Sequence, residues 1–241
     1  KGSHIIDCCM YKPVFFEGEL VFWTVCKGHL TDIGGPVPAG YNPDAKEIYA
    51  EGLRIPPVKL WEKGRRREDV INLLLTNMRA REHQEGDLNA QYGACGVGER
   101  HLLRLLERYG VDTVKAAIAE LKAMADRQMR SLIAEVADGE YSGTAVLEDS
   151  GHGLGDLEIT AHVKIQGDEV AIRIDSPPQV PYFINSYEGN SMSGVLLGLM
   201  MFAQLPPPYN EGLYRCLSVD MGPPGTLCNA SEPAPHANCT T

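Results

Sequence analysis

The stretch HIIDCCMYKPVFFEGELVFWTVCKGHLTD, residues 4–32, decides how this chain begins to fold. Aromatic and β-branched residues dominate segments 11–16 and 19–26. The Glu17-Gly18 pair between them has the composition of a tight turn. The stretch therefore predicts a β-hairpin near the start of the chain.

Two similar tetrads flank this hairpin, and each places a histidine three residues before an aspartate. The first runs from His4 to Asp7 and the second from His29 to Asp32. A regular two-residue turn pairs Asp7 with Gly28, one residue away from His29. Two imidazoles and a carboxylate are therefore expected at the open end of the hairpin.

This set of side chains is a common ligand set for a catalytic first-row divalent ion. The spacing predicts a metal site formed by His4, Asp7 and His29. Side-chain alternation argues against it, because on a regular strand Asp7 points away from His4. A bulge or an early strand end would be needed to turn the carboxylate back. The alternative is that both tetrads cap turns and bind nothing.

The remaining pattern predicts an α+β fold in three regions: a β-rich metal-site region over 1–66, a helical region over 67–138 and an α+β region over 139–241. Helices are expected over 68–79, 81–109, 113–137 and 191–204. The short Gly110 connection predicts that the two longest form an antiparallel helical hairpin. Alternating strands at 144–147, 157–165 and 170–174 predict a C-terminal antiparallel sheet with a packed helix.

Composition limits the function classes. The chain has 241 residues, of which 44% are hydrophobic and 22% charged, with a formal net charge of −10. Such a charge disfavours binding to nucleic acid or to an anionic membrane. The seven cysteines show no paired spacing, which predicts reduced thiols in a cytoplasmic protein. The chain starts at Lys1 within a strand-like pattern and is expected to be a fragment of a larger polypeptide.

Longer motifs carry a family resemblance. After the second tetrad come EIYAEGLRIPPVK at 47–59 and GDLNAQ at 86–91, then SPPQV at 176–180 and PGTLCN at 224–229. In this order the motifs resemble the hydantoinase B/oxoprolinase family, and the resemblance covers nearly the whole chain. The tail segments at 210–215 and 230–236 look closest to the large, alpha-type subunit of acetone and acetophenone carboxylases.

The resemblance implies a hetero-oligomeric enzyme. ATP would be bound by a hydantoinase A-type partner subunit, which agrees with the absence of a P-loop motif from this sequence. It also implies a divalent metal held by His4, Asp7 and His29, manganese first, with zinc or iron as alternatives. His29 and Asp32 are the catalytic candidates, with Asp32 orienting His29 from outside the metal's ligand set.

Three functions remain open. The preferred one is the large metal-binding subunit of a biotin-independent, ATP-dependent ketone carboxylase. The second is a subunit of an ATP-dependent hydantoinase, 5-oxoprolinase or lactamase that opens a cyclic amide. The third is a structural subunit without catalysis. The small-molecule substrate is accordingly a ketone or a cyclic amide.

Overall fold

The chain folds into two compact units. The computed structural model describes residues 4–148, 152–204, 207 and 209–236. One unit comprises residues 2–114 and the other residues 115–241. The mixed α+β class is confirmed, with four α-helices and three small sheets among the described residues.

The two units do not coincide with the three regions 1–66, 67–138 and 139–241. Their boundary falls inside the helix Val111–Ile133, where the apolar pattern of a helix runs on without a break. A change of secondary structure therefore does not mark the edge of a compact unit in this chain.

The first unit contains a two-stranded ribbon, a very short hairpin and two helices. Their bounds are β1 Asp7–Phe16, β2 Glu19–His29, β3 Trp61–Glu62, β4 Arg65–Arg66, α1 Glu68–Thr76 and α2 Arg81–Tyr109. The predicted turn at Glu17-Gly18 is present, and both residues have positive φ.

The register of the β1–β2 ribbon differs from the regular pairing. Near the turn Phe15 pairs with Leu20, but the next pair is Val14 with Phe22. Val21 is thus an extra residue in β2, a β-bulge. Because every later pair moves by one, Asp7 lies opposite His29 rather than opposite Gly28.

One face of the ribbon packs on α2, as alternation along a half-buried strand requires. Met10 and Val14 are buried on this face. The glycines of α2 do not break it, and a Cβ on Gly98 would lie 2.9 Å from Thr24 Cγ2. Close contact between strand and helix therefore explains Gly98. Trp61 of β3 stacks on Tyr92 of α2 with ring centroids 4.2 Å apart.

The opposite face of the ribbon carries several large exposed side chains. Trp23 is 54% exposed and pairs across the ribbon with Pro13. Tyr11 and Val25 form the next exposed pair on the same face. Asp7 and His29 lie further along this side, since strand residues an even number apart share a face.

The second unit is a four-stranded sheet with helices. Its elements are α3 Val111–Ile133, β5 Gly139–Leu147, β6 Leu157–Gln166, β7 Glu169–Asp175, α4 Glu188–Ala203 and β8 Leu217–Asp220. β5, β6 and β7 form the predicted antiparallel meander, and β8 adds a parallel edge strand. Met129 and Ile133 of α3 pack with Ile172 and Ile174 of β7 in its core.

Both long helices are present, with Gly110 as the single residue between them. The helix α2 has the bounds expected from the sequence, because Gly110 with its φ of 79° provides the helix stop. Among the described residues, none of the helices has the length and apolar character that a membrane crossing requires.

Candidate metal centre

The first tetrad is a turn that precedes the ribbon. The Asp7 amide donates to the His4 carbonyl at 3.1 Å, and β1 begins at Asp7. Ile6 is buried in the core, and its carbonyl accepts from the Leu30 amide at 3.1 Å. This early strand end frees His4 from strand alternation, and its side chain turns back over Asp7.

Three donor atoms converge at this end of the ribbon. His4 Nε2 lies 3.0 Å from His29 Nδ1 and 3.2 Å from Asp7 Oδ1. His29 Nδ1 lies 2.9 Å from the same Asp7 oxygen. Among the described residues, these three side chains form the one group of histidine, cysteine or acidic residues close enough to share an ion. The structure thus brings together the three residues that the sequence selected.

The triangle has the size of a set of metal ligands. Two bonds of about 2.0–2.2 Å from a divalent ion, set at right angles, separate the ligand atoms by about 3 Å. His4 Nδ1, the other nitrogen of its ring, is buried and has no hydrogen-bond partner among the described residues. Nε2 is thus the ring nitrogen of His4 that faces the other two donors.

Burial and the neighbouring charges favour the neutral form of His4, and the cluster has one open side. Burial is the largest influence on the pKa of His4 and lowers it from 6.5; Asp7 raises it, and His29 and Lys27 lower it again, so the net shift is downward. A neutral imidazole is the form that binds metal. The His29 side chain is 47% exposed, so the cluster opens to solvent there. Lys27 Nζ lies 2.9 Å from Asp7 Oδ2 and balances its charge.

Tyr41 is a member of the cluster that the sequence did not indicate. Its hydroxyl lies 3.3 Å from His4 Nε2, and its ring centroid lies 5.4 Å from that of His4. Tyr41 is in the loop after the second tetrad, a stretch rich in glycine and proline. Nothing in such a loop pattern indicates which side chain turns toward the ribbon.

Asp32 has a different position from the one expected. Its Oδ2 accepts from the amides of Gly34 and Arg79, both at 2.8 Å. Its Oδ1 accepts from the Ala39 amide at 3.1 Å and from Arg79 Nη1 at 3.0 Å. A carboxylate offers about four lone-pair sites, so these four bonds fill it. The prediction that Asp32 orients His29 is therefore wrong, because its oxygens are fully used in holding the loop.

Comparison with known proteins places the chain in a family. The hydantoinase B/oxoprolinase family profile matches residues 1–241. The chain is 82% identical over 240 residues to caprolactamase subunit beta of Pseudomonas jessenii, covering 100% of this chain and 41% of that subunit. The crystal structure of the ATP-dependent caprolactamase from Pseudomonas jessenii superimposes with a TM-score of 0.95, over 100% of this chain and 42% of that one.

More distant relatives have other reactions in their names. 5-oxoprolinase 1 of Arabidopsis thaliana is 28% identical, over 97% of this chain and 20% of its own length. The acetophenone carboxylase delta subunit of Aromatoleum aromaticum is 24% identical, over 99% of this chain and 35% of its own length. The chain therefore spans about two fifths or less of these proteins.

The expected carboxylase branch is corrected by these identities. The ketone carboxylase assignment relied on the tail segments, whereas identity over the whole chain is 82% to a caprolactamase subunit and 24% to an acetophenone carboxylase subunit. A few residues in the tail are a weak guide to the reaction, because connecting segments vary more among relatives than the elements they connect. With the profile matching from the first residue to the last, the chain belongs to the hydantoinase B/oxoprolinase family.

Proposed function

We propose that this chain is the metal-binding part of a subunit of an ATP-dependent cyclic-amide hydrolase that opens a lactam ring. The observation that carries the proposal is the 82% identity, over all of the chain, to caprolactamase subunit beta. Such identity leaves little room for a change of reaction class. A lactam of the size of caprolactam is the first substrate to test.

His4, Asp7 and His29 would hold the divalent ion, with manganese as the first candidate and zinc or iron as alternatives. When bound, such an ion acts as a Lewis acid and lowers the pKa of water. The chain's own contribution is to fix three donors in a triangle with sides of 2.9–3.2 Å. Asp7 also forms an ion pair with the ammonium group of Lys27, which holds the carboxylate in place.

The open side of the cluster favours access for a small molecule. His4 is buried beneath the cluster while the His29 side chain is half exposed, so a ligand would approach past His29. The side chains of His4 and Asp7 are 9% and 8% exposed, so packing around them limits their movement. The site therefore has two packed ligand side chains, His4 and Asp7, and one side that is open to solvent at His29.

ATP would be bound by a partner subunit of the hydantoinase A type, and the complex would work in the cytoplasm. The relative at 82% identity is itself named as a subunit beta, which supports a partner. The sequence of this chain has no P-loop motif, in agreement with an ATP site elsewhere.

The test is to purify the complex with its partner and measure lactam-dependent release of ADP and ring-opened product, with and without bicarbonate so that a co-reactant requirement does not hide activity. We expect His4→Ala to lower the rate by more than about 100-fold and to remove bound metal. His83→Ala, at an exposed histidine of α2, is the control and should leave both unchanged.

Two results would contradict the proposal. Turnover of a ketone without any cyclic amide would overturn the reaction class. Full activity of His4→Ala in a complex without bound metal would remove the metal site and favour a structural role for this chain.

A further inference from the structure

The hydroxyl of Tyr41 and a metal at the cluster would compete for the same lone pair on His4 Nε2. Its hydroxyl lies 3.3 Å from His4 Nε2, the same atom that lies 3.0 Å from His29 Nδ1. A neutral ring nitrogen has a single lone pair in the ring plane. When that lone pair is used as a metal ligand, the Tyr41 O–H can no longer donate to it.

The loop that carries Tyr41 is held firmly. The carboxylate of Asp32 binds the amide of Ala39, and Arg79 Nη2 donates to the Gly35 carbonyl at 2.8 Å. Ala39 has a φ of 66°, a left-handed conformation that is unfavourable for alanine and needs such support. The bonds fix the backbone two residues before Tyr41, so its position beside His4 is built into the fold.

The surroundings suit a neutral amide. Tyr41 as a whole is 44% exposed, and its hydroxyl lies at the cluster, 3.3 Å from His4 Nε2. The ring of His29 lies at 32° to that of Tyr41 with centroids 6.0 Å apart, and the two rings border this edge. The phenol of Tyr41 is an uncharged O–H donor, which suits a neutral carbonyl oxygen.

We propose that Tyr41 is a substrate-positioning residue: on metal binding its hydroxyl exchanges His4 for the carbonyl oxygen of the cyclic amide. The inference rests on the proposed function and adds a residue to it. No covalent bond changes in this step; one hydrogen bond is exchanged for another. Tyr41 is therefore expected to act in substrate binding and not as a metal ligand.

The experiment compares Tyr41→Phe with Tyr49→Phe in the full complex. Tyr49 is an exposed tyrosine of the same unit, with the Arg54 guanidinium over its ring at 5.4 Å, and serves as the matched control. Mn²⁺ is titrated while the metal affinity and the ultraviolet difference spectrum of tyrosine are recorded. KM and kcat for caprolactam are then measured separately.

The wild type and Tyr49→Phe should show a tyrosine difference signal on Mn²⁺ binding, and Tyr41→Phe should lack it. Mn²⁺ affinity of Tyr41→Phe should stay within about threefold of wild type, while its kcat/KM for caprolactam falls about tenfold, mainly through KM, as loss of one hydrogen bond predicts. Unchanged unfolding temperatures show that the variants are folded.

The outcomes separate this inference from the proposed function. A Mn²⁺ affinity lowered more than about tenfold would make Tyr41 a ligand and overturn the positioning role. Wild-type kinetics in Tyr41→Phe, in an active complex, would overturn the inference alone. A wild-type complex that binds Mn²⁺ but consumes no cyclic amide would overturn the proposed function, and the substrate role of Tyr41 would be overturned with it.

Discussion

The carboxylate of Asp32 shows how one buried charge can organise a loop. Its side chain is 3% exposed and accepts four hydrogen bonds from Gly34, Ala39 and Arg79. Burial alone would raise its pKa, but these hydrogen bonds outweigh burial and hold the pKa below the ordinary value of 3.8. The ionised form is thus the one that stabilises the fold.

We expect Asp32→Asn to lower the free energy of unfolding at pH 7 by about 2 kcal/mol or more. The NH₂ group of the new asparagine would face two N–H groups that now donate to one carboxylate oxygen, and it cannot accept from them. Because the folded-state pKa is depressed, the contribution is present above the unfolded value near pH 4 and is lost as the pH falls through the folded value. Urea unfolding at several pH values between 3 and 7 measures the difference from wild type.

Asp44→Asn, at an exposed aspartate of the same unit, is the control and should change stability little at any pH. An Asp32→Asn variant as stable as wild type at pH 7, or a difference that grows below pH 4, would contradict the structural role of Asp32.

At the level of single residues, the sequence predicted the three donor side chains but not the residues around them. His4, Asp7 and His29 followed from spacing across a hairpin, and the structure brings them together. Tyr41 was missed and Asp32 was assigned the wrong contact. Both errors concern the loop after the second tetrad, where glycine and proline permit many backbone paths and alternation gives no guide.

The β-bulge decides the geometry of the ribbon at the scale of elements. If Val21 were paired instead of bulged, every later pair would move by one, Gly28 would lie opposite Asp7, and His29 would face the other way. The helices and the meander were predicted with bounds close to those observed. The bulge at Val21 was not predicted. A single extra residue changes neither the composition of a strand nor its alternation over a stretch long enough to be recognised.

Deleting Val21 should leave the site intact. All other pairs keep their partners when the unpaired residue is removed, so Asp7 remains opposite His29. We expect the Val21 deletion to bind Mn²⁺ within about threefold of wild type. Isothermal titration calorimetry is the measurement.

The matched comparison inserts one glycine between Thr24 and Val25. The insertion sets Gly28 opposite Asp7 and should weaken Mn²⁺ binding by more than about 100-fold. Tight binding by the insertion variant, or loss of binding by a folded deletion variant, would show that the register does not control the site.

The candidate metal site lies entirely within the first compact unit. His4, Asp7, His29, Tyr41 and their supports Asp32 and Arg79 all lie within residues 2–114. The overall class was predicted from the change of hydrophobic period along the chain. The division into two units was not, because it depends on long-range packing around a helix whose own pattern is continuous.

A fragment of residues 1–110 should therefore keep the metal site. We expect it to bind Mn²⁺ within about threefold of the full chain, since distant parts of a protein contribute independently. Circular dichroism verifies that the fragment is folded before calorimetry. A folded fragment without Mn²⁺ binding would show that the second unit supports the cluster.

The two tryptophans of the chain have unlike environments, and this difference has a practical use. Trp61 is stacked on Tyr92, whereas Trp23 is more than half exposed on the ribbon that ends in Asp7 and His29. Red-shifted intrinsic fluorescence, accessible to quenchers, should come mainly from Trp23. The molecule thus has a native optical reporter on the strand that carries His29, and Trp23→Phe provides the blank against which its emission can be read.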